Sequence, residues 1–144
     1  MRVLVCLDAV VLNADYSVNE VSAKKIRTWL EAGADVEFLT KLNKFLDLKK
    51  IDDVLKESGL DGAKVHKKMD DDKFQKVIEG IKPHLFIDCK GTLDDGGSIS
   101  DKLKSDYKLK RLVLGSPEDI ARLPDLPDEL KDHVQEQAEA ASAE

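Results

Sequence analysis

The sequence predicts an α/β domain in which a parallel sheet of about five strands lies between helical layers. Short apolar runs recur along the chain at Val3-Leu4-Val5-Cys6-Leu7, Val36-Glu37-Phe38-Leu39, Leu85-Phe86-Ile87 and Leu112-Val113-Leu114. Runs of this kind, bounded by loop residues, suit strands buried on both faces. Between them lie segments with helical spacing of apolar residues, and strand–helix alternation favours parallel pairing. Polar residues also stand where the runs end, as they do where parallel sheets gather ligands.

The elements follow in order. Residues 2–7 form the first strand, which delivers Asp8 into a loop. Ser17 and Glu20 have the spacing of a capping box, so a helix is expected from Ser17. Val21, Ile26, Trp29 and Leu30 give it an apolar side, and Gly33 is placed to cap its C-terminus. The second strand, residues 36–39, ends at Thr40. Helical patterning returns over 51–57 and 71–81, with a short strand over 63–66 between them. Pro83 closes the later helix, and the strand at 85–87 runs into Asp88 and Cys89. Glycines and aspartates make 90–97 a loop. The last strand, residues 112–114, ends at Gly115, and Ser116-Pro117-Glu118-Asp119 has the composition of a helix start. Two segments are expected: an α/β domain over 1–127 and a helix over 128–144 that frays into an acidic tail.

Composition narrows the function classes. A net charge of −6 and a pI near 5.1 disfavour nucleic acid or an anionic membrane as partner, because both demand concentrated positive charge. The basic patch Lys64-Val65-His66-Lys67-Lys68 is soon followed by acids and reads as solvated surface. No stretch approaches the ~20 apolar residues of a membrane helix. The opening run, interrupted by Asp8, makes a poor signal peptide. Two cysteines do not make a secreted disulfide framework, so a cytoplasmic protein with reduced thiols is expected.

Several polar strand ends should converge in space: Cys6 and Asp8, Thr40, and Asp88 with Cys89. Their order resembles the haloacid-dehalogenase-like (HAD) superfamily of phosphatases in its small form without a large cap domain. Where that family has a strand ending in Asp-x-Asp-Gly-Thr/Val-Leu, this chain has Cys6-Leu7-Asp8-Ala9-Val10-Val11. The family's strand ending in Thr or Ser is matched by Glu37-Phe38-Leu39-Thr40, preceded by Trp29-Leu30-Glu31-Ala32-Gly33. Its lysine is matched best by Lys73, with Lys67 or Lys68 as alternatives, and its final acidic signature by Phe86-Ile87-Asp88-Cys89, with Asp94 and Asp95 nearby. The likeness covers about the first 115 residues. It implies a three-layer Rossmann-like domain with strand order 5-4-1-2-3.

The resemblance also implies roles. The first aspartate of the family attacks phosphorus and the second serves as general acid and base. Thr40, Lys41 and Lys73 would bind phosphate, and Asp88 with Asp8 would hold Mg²⁺ in a weakened site. Cys6, Asp8, Thr40 and Lys73 would be the catalytic set, but Cys6 occupies the nucleophile's position. A thiol offers Mg²⁺ no hard oxygen, so the substitution removes the attacking carboxylate and one metal ligand together.

Three readings of Cys6 follow: a packed core residue, a cysteine nucleophile stabilised by Lys73 and a helix N-terminus, or half of a soft-metal or redox pair with Cys89. His66 lies near a strand end, His84 at a strand entrance far from the expected site, and His133 on the terminal helix. No nucleophile elbow, Walker loop or dinucleotide fingerprint occurs. The expected function is therefore a non-catalytic HAD-like protein that binds a phosphorylated ligand, a divalent cation or a protein partner. The alternative is a HAD-like phosphatase with a cysteine in its active site.

Overall fold

The computed structural model describes residues 2–13, 17–40, 45–60, 63–67, 73–89, 99, 103, 109–126 and 129–130. Five parallel strands form one sheet: β1 (Arg2–Cys6), β2 (Asp35–Thr40), β3 (Lys64–Lys67), β4 (Leu85–Cys89) and β5 (Lys110–Leu114). Their order is β3-β2-β1-β4-β5, the expected 5-4-1-2-3 read from the other edge. The chain is thus α/β with a Rossmann-like sheet. The connections carry α1 (Glu20–Glu31), α2 (Phe45–Glu57) and α3 (Phe74–Ile81), and a 3₁₀ turn (Pro117–Arg122) follows β5.

The central strands are buried because neighbours flank them on both edges and apolar side chains project from both faces. Val3 to Cys6 in β1 and Phe86 to Asp88 in β4 have no exposed surface. Successive residues of a strand alternate faces, and residues paired across strands share one. The pairs Leu4–Glu37, Cys6–Leu39 and Leu4–Phe86 therefore define one face. The pairs Val5–Phe38, Val5–Ile87 and Thr40–Lys67 define the other.

Two starts differ from expectation. The first strand ends at Cys6, and Leu7–Val11 coil into one wide π-helical turn, closed by the Leu12 N–H donating to the Leu7 carbonyl at 2.8 Å. The first helix begins at Glu20 with Asn19, not Ser17, as its cap. Val18 is held in an antiparallel bridge to Leu12, so the helix starts after it, with Asn19 as cap. Asn19 Oδ1 then accepts from the Val21 and Ser22 N–H groups at 3.1 and 3.4 Å.

The buried side of α1 is Ser22, Ala23, Ile26 and Trp29, whereas Val21 is exposed. Ser22 tolerates burial because its hydroxyl donates to the Val10 carbonyl at 2.6 Å. Gly33 does follow α1 with a left-handed φ of 91°, beyond the cap residue Ala32.

The other elements sit close to their expected places. The helix expected over 51–57 begins six residues earlier, at Phe45, and the strand expected at 112–114 begins at Lys110. The later helix starts at Phe74 because Lys73 has extended backbone (φ −95°, ψ 144°); Asp71 lies outside the described residues. The expected helix after Ser116 is a 3₁₀ turn with a reciprocal capping box between Ser116 and Asp119.

Side chains lock these layers together. Trp29 Nε1 donates to the Pro124 carbonyl at 2.9 Å, and Lys25 Nζ to that of Leu123 at 2.7 Å, fixing the segment after β5 against α1. Arg27 donates to the Ser58 carbonyl at 2.7 Å, joining α1 to the chain just past α2. Among the described residues no helix is long and apolar enough to cross a membrane. Of the segment 128–144, only 129–130 belong to the described residues; they are helical.

Candidate functional site

Because all five strands are parallel, the last residues of β1, β2 and β4 lie side by side at one edge of the sheet. Asp8 follows β1 inside the π-helical turn. Burial of Val10 and Val11 anchors this turn, and Ser22 holds the Val10 carbonyl from α1. Asp8, half-buried, is thereby presented towards β2, where the Thr40 hydroxyl donates to its Oδ1 at 2.8 Å. Thr40 itself is fully buried.

Cys6 and Asp88 form a second juxtaposition. They stand one residue beyond the Val5–Ile87 pair on neighbouring strands, so they share a face at the sheet edge. Both are fully buried. Asp88 Oδ1 accepts the Cys89 N–H at 2.8 Å, which turns one carboxylate oxygen back onto its own strand. Cys89 is the next residue and therefore points to the opposite face from Cys6. The reading that pairs the two thiols in one pocket fails on this alternation; both cysteines are buried and neither forms a disulfide. Burial pushes the Cys89 thiol pKa up, and the Asp88, Asp119 and Glu118 carboxylates push it further, so this sulfur stays protonated.

The lysines separate. Lys73 is exposed at the N-cap of α3, and no hydrogen bond or ion pair joins its side chain to Asp8, Thr40 or Asp88 among the described residues. Lys67 is the Cα partner of Thr40 at the carboxyl end of β3 and shares its face. Lys41, Lys68, Asp94, Asp95, the 90–97 loop and His133 lie outside the described residues.

The sequence reading missed a buried polar knot on the Cys6 face. Glu37, nearly enclosed, takes Arg2 Nε at 2.7 Å from β1 and His66 Nε2 at 2.6 Å from β3, so one carboxylate fastens three adjacent strands. A hydrogen bond from Arg2 to Asp35, with the charge of Glu37, raises the guanidinium pKa further. The available signal was a lone acid inside the apolar run Val36-Glu37-Phe38-Leu39. His66 thus serves this knot, and His84 lies at the opposite end of the sheet, where its Nδ1 accepts the Arg2 N–H at 2.9 Å.

Magnesium prefers a near-octahedral set of oxygens. Asp8 and Asp88 supply carboxylates, but Cys6 supplies sulfur, and no three His, Cys, Asp or Glu groups assemble a metal site among the described residues. These donors do not fit Mg²⁺. Comparison with protein-family models, curated proteins and solved structures finds no match to this chain.

Proposed function

We propose that this chain is a non-catalytic HAD-like domain that binds a phosphorylated small molecule at the carboxyl edge of its sheet without hydrolysing it. One observation carries the reading. Cys6, at the position of the attacking group, is a thiol packed in the core, where the family's reaction uses a carboxylate. Free cysteine in such a place packs as a small hydrophobe.

The features that suit phosphate are on the other face. Thr40 supplies a hydroxyl and Lys67 a cation at neighbouring strand ends. The Thr40 proton is held by Asp8, so a bound phosphate competes with that carboxylate for it. Binding is therefore expected to be moderate, and to tighten when Asp8 loses its charge.

Calorimetry with inorganic phosphate, p-nitrophenyl phosphate hydrolysis and iodoacetamide labelling mapped peptide by peptide test this reading together. We expect phosphate to bind, Thr40→Val to weaken that binding, no nitrophenol to be released, and Cys6 to resist alkylation until the chain unfolds. Rapid alkylation of native Cys6, with phosphatase activity that Cys6→Ser abolishes, would replace this reading with that of a cysteine-dependent phosphatase.

A further inference from the structure

The sheet ends at β3, and among the described residues no strand pairs with the outer side of that strand. Lys64 and Lys67 stand exposed at its two ends, with half-buried Val65 and His66 between them. Lys64 and His66 project to the Cys6 face, where His66 meets Glu37 at 2.6 Å. Val65 and Lys67 project to the other face, where a groove of about 290 Å³ lies between the strand and α2. Leu48, Ile51 and Val65 make its walls apolar, and Asp52, also in its lining, is paired with Lys56 at 3.3 Å.

We propose that this edge binds an extended acidic segment of a partner protein, added antiparallel to β3 as a sixth strand. Parallel sheets commonly carry an antiparallel strand at one edge. Strand addition draws affinity from main-chain hydrogen bonds and specificity from alternate side chains. Residues opposed across an antiparallel pair share a face. The partner residue opposite Val65 therefore enters the groove beside Leu48 and Ile51, and is aliphatic or aromatic. Those opposite Lys64 and Lys67 are acidic, because opposed unlike charges attract. From its N-terminus the partner thus reads acid, any residue, apolar residue, acid. Charge disfavours a second copy of this chain as occupant, since antiparallel self-pairing over residues 64–67 sets Lys64 against Lys67 twice. Lysines on an open edge deter that self-association and leave it to a segment of opposite sign. The inference goes beyond the phosphate-binding reading and does not rest on it.

The test titrates the full chain with the blocked peptide acetyl-Gly-Glu-Thr-Ile-Glu-Gly-amide and follows it by NMR and amide exchange. We expect slowed exchange within Lys64–Lys67, and NOEs from the peptide's isoleucine to the Ile51 and Val65 methyls. Serine in place of that isoleucine should weaken binding about tenfold or more, the worth of burying an aliphatic side chain. Each opposite-charge pair is worth up to about fivefold, so lysines in place of both glutamates should weaken binding by about tenfold. Lys64→Glu combined with Lys67→Glu, both at exposed positions, should reverse that order and prefer the lysine peptide. Protection over Lys110–Leu114 instead of β3, equal binding of the serine peptide, or a charge preference that survives the double substitution would overturn the inference. So would absence of peptide binding, or concentration-dependent protection of β3 in the chain alone, which would assign the edge to a second copy.

Discussion

Replacing Cys6 with aspartate tests the edge of the sheet most sharply. The substitution buries a carboxylate at a position with no exposed surface, next to a second fully buried carboxylate, Asp88, on the neighbouring strand. Full burial raises a carboxyl pKa by up to 3–5 units, and a shift of about 3 units costs about 4 kcal/mol at neutral pH. Charge repulsion gives a similar scale, since two charges about 4.8 Å apart across neighbouring strands, at an effective dielectric of about 20, repel by about 3.5 kcal/mol. The two figures are alternative views of one penalty, because protonating one carboxyl relieves the repulsion. We therefore expect Cys6→Asp to lose about 4 kcal/mol at pH 7.5, a fall in Tm of about 12 °C for a chain of this size.

The pH dependence has a definite sign. The new carboxyl binds its proton more tightly in the folded state than the unfolded value of about 3.9, so the variant's stability falls as pH rises through the interval between them. The deficit should shrink towards pH 4. Magnesium supplies the second arm: with carboxylates at positions 6 and 88 on one face the pair becomes a hard donor set, and saturating Mg²⁺ at about 100 times Kd should restore about 2.7 kcal/mol. Urea unfolding at pH 4.5 and 7.5, with and without Mg²⁺, reads all of this. A variant as stable as the parent at pH 7.5, or one whose Mg²⁺ response equals the parent's, would mean that positions 6 and 88 do not share a buried site.

Three further outcomes follow from the same structure. Gly33→Ala should destabilise by about 1 kcal/mol in urea melts, because the surroundings of Gly33 leave room for a Cβ and only the left-handed φ of 91° opposes it. Lys82, the left-handed C-cap of α3 at φ 56°, should gain about 0.5–1 kcal/mol on replacement by glycine, read in the same melts. The buried Cys89 thiol ionises later in the folded chain than in the unfolded one, so stability should decline as pH rises above about 9. Cys89→Ala should flatten that decline in melts between pH 8 and 10, and an unchanged slope would assign it to other groups.

The strands were legible because burial on both faces leaves a plain mark, a short apolar run closed by a polar residue. That the strand ends of β1, β2 and β4 lie at one edge follows from parallel topology once those runs are placed; which face each of Cys6, Thr40 and Asp88 takes follows from register. What escaped the sequence was set by contacts between segments. The cap of α1 is Asn19 and not Ser17 because Val18 pairs with Leu12. Ser22 displaced Val21 from the buried face because a carbonyl of the π-helical turn was there to receive its hydroxyl. Order along the chain favoured Lys73 over its alternative Lys67, whereas strand register, which linear spacing does not encode, puts Lys67 beside Thr40. Glu37 received no separate role from the sequence, since its partners Arg2 and His66 come from two other strands.

In the proposed reading, the division of residues between the sheet's two faces separates binding from catalysis. Cys6 and Asp88 share one face at the carboxyl edge, and Thr40 and Lys67 share the other, with Asp8 reaching Thr40 from the π-helical turn. In the proposed reading, the attacking group belongs to the first set and the phosphate-holding groups to the second. Exchange of an attacking carboxylate for a thiol would empty the first set of its chemistry and leave the second untouched. It would also remove a buried charge beside Asp88, relieving the penalty that Cys6→Asp is expected to reintroduce. Loss of hydrolysis and gain of stability would then come from one substitution, with the hydroxyl and the cation kept for a ligand that is held and released unchanged. Double substitution makes this separable: Cys6→Asp and Thr40→Val should act independently on phosphate affinity, because their side chains project from opposite faces. Calorimetric coupling above about 0.5 kcal/mol between the two would refute the division.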